Sequence, residues 1–247
     1  MSGHSKWAGI KHKKAIVDAR KGQTFTKVAR ELTVAAREGG GDATSNFRLR
    51  LAIQKAREVN MPADNIDRAV KRGTGELQGE AIEEVRYEGY GPGGVAVLVD
   101  TLTDNRNRTV AAIRNLFMRA GGSLGETNSV AWLFSRTGII TVDPAGQDPD
   151  VIGLLAIEQG ADDVQVEGEG VEIYVAPDRL EAIRQGLIDA GQSVERAEVT
   201  MHPSTLVEVD AKQAPAVVRL LEALEDHDDV QGVHCNAVLP DDVLARV

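Results

Sequence analysis

The chain has 247 residues, of which 42% are hydrophobic and 27% charged, a composition typical of soluble globular proteins with one to three domains. A single cysteine excludes an internal disulfide, and no apolar run approaches the ~20 residues that a membrane-spanning helix needs. The net charge of −10 is unevenly divided, because residues 1–75 carry 16 Lys+Arg against 7 Asp+Glu, whereas residues 76–247 carry 12 against 31. A basic segment on an acidic chain indicates a polyanionic partner; the alternative is a solvated helical face with no partner.

The N-terminal arm concentrates lysines beside one large aromatic residue. GHSKW (3–7) and KHKK (11–14) place four lysines near Trp7. Lysines contact phosphates irrespective of sequence, and an exposed ring stacks on a base. Trp7 is equally consistent with a hydrophobic plug that docks the arm on the helices that follow. The arm has no apolar segment of the kind found in a secretory signal, so we expect a cytoplasmic protein that binds no membrane.

Three amphipathic helices follow the arm. The first carries an apolar stripe of Phe25, Val28, Ala29, Leu32, Ala35 and Ala36, with Lys27, Arg30 and Arg37 on the opposite side, and ends at the glycines of 39–41. The second, capped by Ser45 or Asn46, has the stripe Leu49, Ala52, Ile53 and Ala56. Arg48 and Lys55 flank one edge of that stripe, and Arg50 and Arg57 flank the other. The third begins near Pro62 and ends with Lys71, Arg72 and Gly73. Together they predict a small bundle.

Beyond a linker at 73–80, strands alternate with helices. Strands are predicted at 94–103, 129–134, 138–143, 193–201, 205–210 and 230–238, a hairpin at 163–176 with its turn near Gly168, and helices at 108–122, 148–161, 177–191 and 214–226. Residues 138–201 read β-α-β-β-α-β, the order of a ferredoxin-like sandwich. The flanking pieces, joined, predict a second such sandwich interrupted by the first. The predicted fold is therefore α+β, with a basic helical domain (1–75), a discontinuous α/β domain (80–135 plus 204–247) and an inserted α/β domain (136–203).

Two further segments are candidates for chemistry. YEGYGPGG (87–94) lacks the lysine and spacing of a phosphate-binding loop, so we interpret its glycines as turns. LTDNRNRT (102–109) opens a helix, where Arg106 and Arg108 favour an anion. His234 and Cys235 are adjacent on a strand and point to opposite faces, so we predict a small core cysteine and no metal site. No nucleophile-base set is recognisable, and the sequence predicts no enzyme and no cofactor.

Five motifs in this chain resemble the YebC/PmpR family over its whole length. They are GHSKWAGIKHKK, NMPADNIDRAVKRGTGE (60–76), YEGYGPGGVA (87–96), LTDNRNRT (102–109) and GGSLGETNSVAWLF (121–134). The chain departs from the family pattern before Ser129-Val130, where it carries Asn128 in place of a glycine. The resemblance implies three domains, with the middle one discontinuous, and a cytoplasmic, non-enzymatic regulator of gene expression of the type labelled a probable DNA-binding transcriptional regulator.

Related members, including a mitochondrial relative, look like translation factors that act on the ribosome and ease synthesis of proline-rich stretches. DNA and ribosomal RNA are thus both candidate partners, and the acidic body suits basic ribosomal proteins. The bundle offers no helix rich in base-reading residues, which favours RNA, whereas the usual family label favours DNA. A third candidate function, that of a small-molecule sensor, is supported only by analogy with other proteins of this fold. The resemblance implies nucleic-acid contacts at Ser5, Lys6, Trp7, Lys11, His12, Lys13 and Lys14. The charge pattern adds Arg20, Lys21, Lys27, Arg30, Arg37, Arg48, Lys55, Lys71 and Arg72 as predicted contacts, with a second contact at Arg106 and Arg108.

Overall fold

The computed structural model describes residues 21–79, 81–167, 170–240 and 243. They form two compact units, one of Trp132–Leu206 and the other of residues 21–131 together with 207–243. Both units combine helices with antiparallel sheets, which confirms the mixed α/β class. The finer division into three domains stays a prediction. Within the described residues, no helix is long and apolar enough to cross a bilayer.

The larger unit begins with three helices: α1 (Lys21–Gly39), α2 (Phe47–Glu58) and α3 (Ala63–Gly73). The predicted stripes of α1 and α2 form their shared core, in which Leu32 and Leu49 are fully buried. Ala69 of α3 and Met61, which precedes it, complete this core. The bundle prediction is therefore confirmed for the described residues.

Asn46 fixes the start of α2. Its side-chain oxygen accepts from the Leu49 backbone N–H at 3.0 Å, and its amide donates to the carbonyls of Ala35 and Gly40 at 2.7 and 2.8 Å. One buried side chain thus caps the beginning of α2 and satisfies carbonyls near the end of α1. Of the two predicted caps, Asn46 is the one that acts. Gly73 lies where α3 crosses α1, since a Cβ there would lie 2.3 Å from the Thr33 carbonyl oxygen.

The α/β part of this unit opens with β1 (Glu83–Tyr90), β2 (Ala96–Thr103), α4 (Arg106–Arg119) and the short β3 (Ser123–Leu124). β1 and β2 form an antiparallel hairpin around a 3₁₀ turn at Pro92–Gly94. The GYGPGG segment is therefore a hairpin turn, in which Gly93 and Gly94 adopt φ angles of 74° and 76°. That assignment agrees with the interpretation of these glycines as turn residues.

The smaller unit contains β4 (Phe134–Asp143), α5 (Pro149–Glu158), β5 (Asp163–Glu167), β6 (Gly170–Val175), α6 (Leu180–Asp189) and β7 (Ser193–Pro203). Its sheet has the order β5-β6-β4-β7, and every neighbouring pair is antiparallel. This is the predicted β-α-β-β-α-β sandwich. Residues of both helices and of the central strands share one core, with Ile140, Ile152, Ile173 and Leu187 fully buried. The turn predicted near Gly168 lies outside the described residues.

The chain then returns to the larger unit as β8 (Val207–Glu208), α7 (Ala214–Glu225), β9 (Val230–Cys235) and β10 (Ala237–Val238). The main sheet has the order β3-β1-β2-β9. This order repeats that of the smaller unit, with β1 in the position of β6. Ile113 and Phe117 of α4 and Leu221 of α7 pack in one core with the inward side chains of β2.

One strand prediction is right for only two residues, and another is wrong. Residues 205–210 were predicted as a sheet strand, but only Val207–Glu208 pair, and they pair in parallel with Ala237–Val238 in a separate two-stranded sheet. The chain forms a turn after this short strand, because the Asp210 carboxylate accepts from the backbone N–H groups of Lys212 and Gln213. In the main sheet, β1 occupies the position that was expected for residues 205–210, and the sequence pattern did not predict β1.

The strand predicted at 129–134 is wrong. Ala131–Leu133 form a 3₁₀ turn, and Phe134 begins β4. The reason is the carboxylate of Glu88, which is buried in β1 and accepts from the backbone N–H groups of Asn128, Val130 and Ala131 at 2.7–2.8 Å. Donors bound to one carboxylate are unavailable to a neighbouring strand. Asn128 has a φ of 66°, a left-handed conformation that favours glycine and that Asn tolerates better than other residues.

Candidate nucleic-acid interface

The predicted contacts in the arm lie outside the described residues. These are Ser5, Lys6, Trp7, Lys11, His12, Lys13, Lys14 and Arg20. Lys21 is the first described residue of α1. The site is therefore built from the described cations of the helices and of α4, where the structure separates the residues that are held by the fold from those that face solvent.

The basic side of α1 packs against the α/β part of its own unit. Lys27 donates to the Glu225 carbonyl, 198 residues away in the chain, and Arg37 donates to the Ile82 carbonyl at 2.6 Å. Arg30 donates to the Asp229 carboxylate at 2.5 Å and to the Asp228 carbonyl at 2.9 Å. The sequence predicts that these cations lie opposite the apolar stripe. In the structure, Lys27 and Arg30 contact the end of α7 and the residues that follow it, whereas Arg37 contacts the residue that precedes β1.

Asp229 is the centre of this interface. The residue is 2% exposed, and its carboxylate accepts from the Thr109 hydroxyl at 2.5 Å and from Arg108 at 3.3 Å. Thr103 lies at 3.3 Å from the same carboxylate. Burial raises the pKa of Asp229, but the Thr109 hydrogen bond and the Arg30 guanidinium outweigh it and hold the pKa below its usual value. We call Arg30, Arg108, Thr109 and Asp229 the Asp229 cluster.

LTDNRNRT therefore contributes to the connection between helices and sheet. Asn105 caps α4 by accepting from the Arg108 backbone N–H at 3.1 Å, and Arg108 also pairs with Asp104 at 2.6 Å. The Asp104 hydrogen bond raises the pKa of Arg108. Arg106 remains exposed, with no ion pair among the described residues. Of the two arginines predicted as a second contact, Arg106 is thus the more available to a ligand.

Two more predicted cations are paired with acids. Arg48 binds Glu31 at 2.8 Å, Glu38 at 2.6 Å and Glu84 at 2.5 Å. Burial lowers the pKa of Arg48, but the three carboxylates outweigh it and raise the pKa above its usual value. Lys71 pairs with Asp67 one helical turn away at 2.7 Å, and this hydrogen bond raises its pKa.

The cations that face solvent lie mainly on α2. Lys55 and Arg72, both predicted contacts, are exposed and form no ion pair within the described part of the chain. Arg50 and Arg57 on α2 are likewise exposed and free of ion pairs there, although the site prediction omitted them. The i, i+7 spacing of Arg50 and Arg57 is visible in the sequence. The sequence does not show which edge of α2 contacts carboxylates. Glu84, which binds Arg48, lies in the unpredicted strand β1.

A polar cleft of about 500 Å³ adjoins the Asp229 cluster. It is lined by both guanidiniums of the cluster and by residues 226–229. Burial lowers the pKa of His227 on this lining, although Asp229 opposes the shift. The cleft mixes cations and anions and is not the mainly apolar cavity typical of small-molecule sites.

The described residues contain no group of His, Cys, Asp and Glu arranged to hold a metal ion. His234 instead lies 3.3 Å from the Asp100 carboxylate, while Cys235 is buried in the core. Burial raises the pKa of the Cys235 thiol to about 11. The interpretation of Cys235 as a small core residue is confirmed.

The fold and these surfaces define a class: a mixed α/β protein that carries a cation-rich helical bundle. Residues 5–76 match the family described as the TACO1/YebC protein N-terminal domain, and residues 82–237 match the TACO1/YebC second and third domain. The chain belongs to the TACO1/YebC family.

Several relatives are similar over nearly the whole chain. A "Probable transcriptional regulatory protein" of Moorella thermoacetica is 55% identical over 97% of this chain and 96% of its own. A protein of the same name from Desulfitobacterium hafniense is 52% identical over 98% of each chain. The crystal structure of a conserved hypothetical protein from Aquifex aeolicus has a TM-score of 0.78 and 46% identity, covering 91% of this chain and 93% of that one.

Proposed function

We propose that the protein is a cytoplasmic, nucleic-acid-binding regulator of gene expression, and that the basic arm and helices make the contacts. The observation that carries this proposal is the segregation of charge, with 16 Lys+Arg in residues 1–75 and a strongly acidic remainder. Internal pairing in the helices leaves exposed cations, among them Lys55 and Arg72. The family relatives named as probable transcriptional regulatory proteins support a role of this kind.

The contacts divide into two groups under this proposal. Lys6, Lys11, Lys13 and Lys14 of the arm, with Lys55 and Arg72 of the helices, bind phosphates and supply affinity without sequence preference. Arg30, Arg48 and Arg108 act indirectly, because their guanidiniums are engaged by carboxylates that fix α1 and α2 to the rest of the unit.

A second candidate is a translation factor that binds ribosomal RNA. The observation that favours it is the exposed Phe47 on α2, since folded RNA presents unpaired bases to aromatic rings whereas duplex DNA does not. Basic ribosomal proteins are additional partners for the acidic surface in that case.

The test is a salt titration of binding, with labelled duplex DNA and structured RNA as probes. Replacing Lys11, Lys13 and Lys14 with Ala is expected to reduce the slope of log K against log salt by roughly 0.7–0.9 per lost contact. Lys55→Gln is expected to do the same on a smaller scale. The matched control is Lys212→Gln, an exposed lysine in the acidic part. An unchanged slope in the first two variants would contradict the assignment of the interface.

Co-sedimentation separates the two candidates. A translation factor is expected to travel with ribosomes at low salt and to leave them at high salt. Free migration at all salt concentrations, together with tight binding of one promoter duplex, identifies a transcriptional regulator.

A further inference from the structure

Helix α2 presents an exposed aromatic ring in a chain that has few. Phe47 is 54% exposed, whereas Phe117 and Phe134 are buried and Phe25 packs in the bundle core. Two other described aromatic residues are exposed, Trp132 at 73% and Tyr90 at 39%, but both lie outside the cation-rich helices. Leu51, one turn further along α2, is 49% exposed. The opposite side of α2 is fully used, since Leu49, Ala52 and Ala56 are buried. Phe47 and Leu51 therefore form an apolar strip on the outward side of the helix.

A guanidinium accompanies the ring. The Arg50 Cζ lies 5.6 Å from the Phe47 ring centroid, a cation–π distance. Arg50 also donates to the carbonyls of Ala43 and Thr44 at 3.2 and 3.3 Å, which hold its side chain in place at the start of the helix. The guanidinium lies over the ring and gives this apolar strip a positive charge, and we call Phe47, Arg50 and Leu51 together the α2 platform.

The charges around the platform are mainly positive. Arg57 lies two turns from Arg50 on the same edge, and Lys55 lies on the other edge; both are exposed and free of ion pairs in the described part of the chain. Glu58 at the far end of the face is the one acid on α2, and it accepts from Gln54 at 3.1 Å. An anionic partner with flat, stackable groups matches this combination of charge and shape.

We infer that the α2 platform binds an unpaired base of a nucleic-acid strand, with Phe47 and Arg50 stacking on the base and Arg57 and Lys55 contacting the flanking phosphates. This inference rests on the proposed function, and it identifies the surface of the protein that selects unpaired strands. Stacking on an aromatic ring or a guanidinium tolerates any base, and cations beside it track the backbone. A second copy of the chain fits less well, because a symmetric contact would bring Arg50, Lys55 and Arg57 against their own equivalents.

The experiment compares three labelled probes: oligoadenylate RNA, the corresponding oligodeoxyadenylate, and a mixed-sequence RNA duplex of similar length. Phe47→Leu retains an apolar side chain and removes the ring. It is expected to weaken oligoadenylate binding about 5- to 30-fold, the lower part of the range for one stacked base, and to change duplex binding less than about twofold. The two single strands report whether the 2′-hydroxyl contributes in addition to stacking.

Two further variants separate stacking from charge. Arg50→Lys keeps the charge and loses the planar group, so single-strand affinity falls while the salt slope stays the same. Glu58→Gln removes the nearby acid and is expected to strengthen binding of all three probes. Leu154→Ala, at an exposed apolar residue of α5 in the smaller unit, is the control and leaves binding unchanged. Unfolding curves of each variant verify that the fold is retained.

The outcomes are distinguishable. A wild-type protein that binds none of the probes contradicts both the proposed function and the platform. A wild-type protein that binds, beside a Phe47→Leu variant that binds equally well, leaves the proposed function intact and overturns the platform, whose exposed ring then belongs to a protein partner or a second copy. Equal weakening for single strands and duplex also overturns it, because a stacking site discriminates between them.

Discussion

Replacing Asp229 with Asn tests whether the Asp229 cluster holds α1 against the α/β part of the larger unit. The variant keeps the size of the side chain and removes its charge. Arg30 then loses its ion pair with a carboxylate that is only 2% exposed, and the one remaining side-chain oxygen can accept from either Arg30 or Thr109 but no longer from both. An amide NH₂ group is placed among donors, which leaves polar groups unsatisfied.

The expected loss in the free energy of unfolding depends on which hydrogen bonds the Asp229→Asn variant retains. Breaking a buried ion pair typically costs about 3–5 kcal/mol. Thr103 and Thr109 retain a hydrogen bond to each other at 2.7 Å, Arg30 retains the Asp228 carbonyl, and the Arg108 side chain is 51% exposed. We therefore expect a loss of about 2–3 kcal/mol in the free energy of unfolding, which corresponds to roughly 4–12 °C in Tm for a unit of this size.

Thermal and urea unfolding at several pH values provide the assay, with Asp228→Asn as the control because that side chain is exposed. The folded-state pKa of Asp229 lies below the unfolded value of about 3.9, so its stabilisation is complete above that value and is lost as the pH falls through the folded-state pKa. The gap between wild type and Asp229→Asn is thus expected to be constant near neutral pH and to close in acid. Equal stability of the two proteins at pH 7, or a gap that persists below both pKa values, would refute this reasoning.

Three other expectations concern the fold. Glu88→Gln leaves the backbone N–H groups of Asn128, Val130 and Ala131 with a weaker acceptor and is expected to cost about 1–3 kcal/mol, measured by urea unfolding, with faster hydrogen exchange at these three amides. Asn46→Ala removes a cap and the hydrogen bonds to the Ala35 and Gly40 carbonyls, so a loss of about 2 kcal/mol is expected in the same assay; a loss below 0.5 kcal/mol, as for a surface site, would disprove the role. Cys235, with its pKa raised to about 11, is expected to resist alkylation by iodoacetamide at pH 8 until the protein unfolds.

The sequence was sufficient where one face of an element is apolar and the other polar. The stripes of α1 and α2 and the element order of the smaller unit follow from periodicity alone, because burial of those stripes drives the packing. Strand β1 was missed because EEVRYEGY alternates poorly and contains a buried charge. Glu88 is tolerated inside the sheet only because three backbone donors from a distant loop surround it, and no local pattern contains that information.

The candidate site was predictable to a lesser degree. Its location in the basic helices rests on charge counts, but the availability of each cation depends on partners far away in the chain. Arg30 and its partner Asp229 are 199 residues apart, and the acid that binds Arg48 in β1 lies in an unpredicted strand. Phe47 escaped notice because, as the first residue of α2, it lies outside the apolar stripe that the helical pattern selects.

Arg30 illustrates how the two kinds of cation are distinguished by experiment. If Arg30 contacts nucleic acid directly, Asp229→Asn frees its guanidinium and removes a negative charge, so binding at low salt strengthens while Arg30→Gln weakens it. If Arg30 acts only through the Asp229 cluster, both variants loosen α1 in the same way and change binding in the same direction and by similar amounts. Binding of a labelled RNA by the two variants and by the double variant, below their unfolding temperatures, decides between these roles. We expect the second result, because Arg30 is 18% exposed, its Nη1 donates to Asp229 and to the Asp228 carbonyl, and its Nη2 lies 3.7 Å from the Asp104 carboxylate.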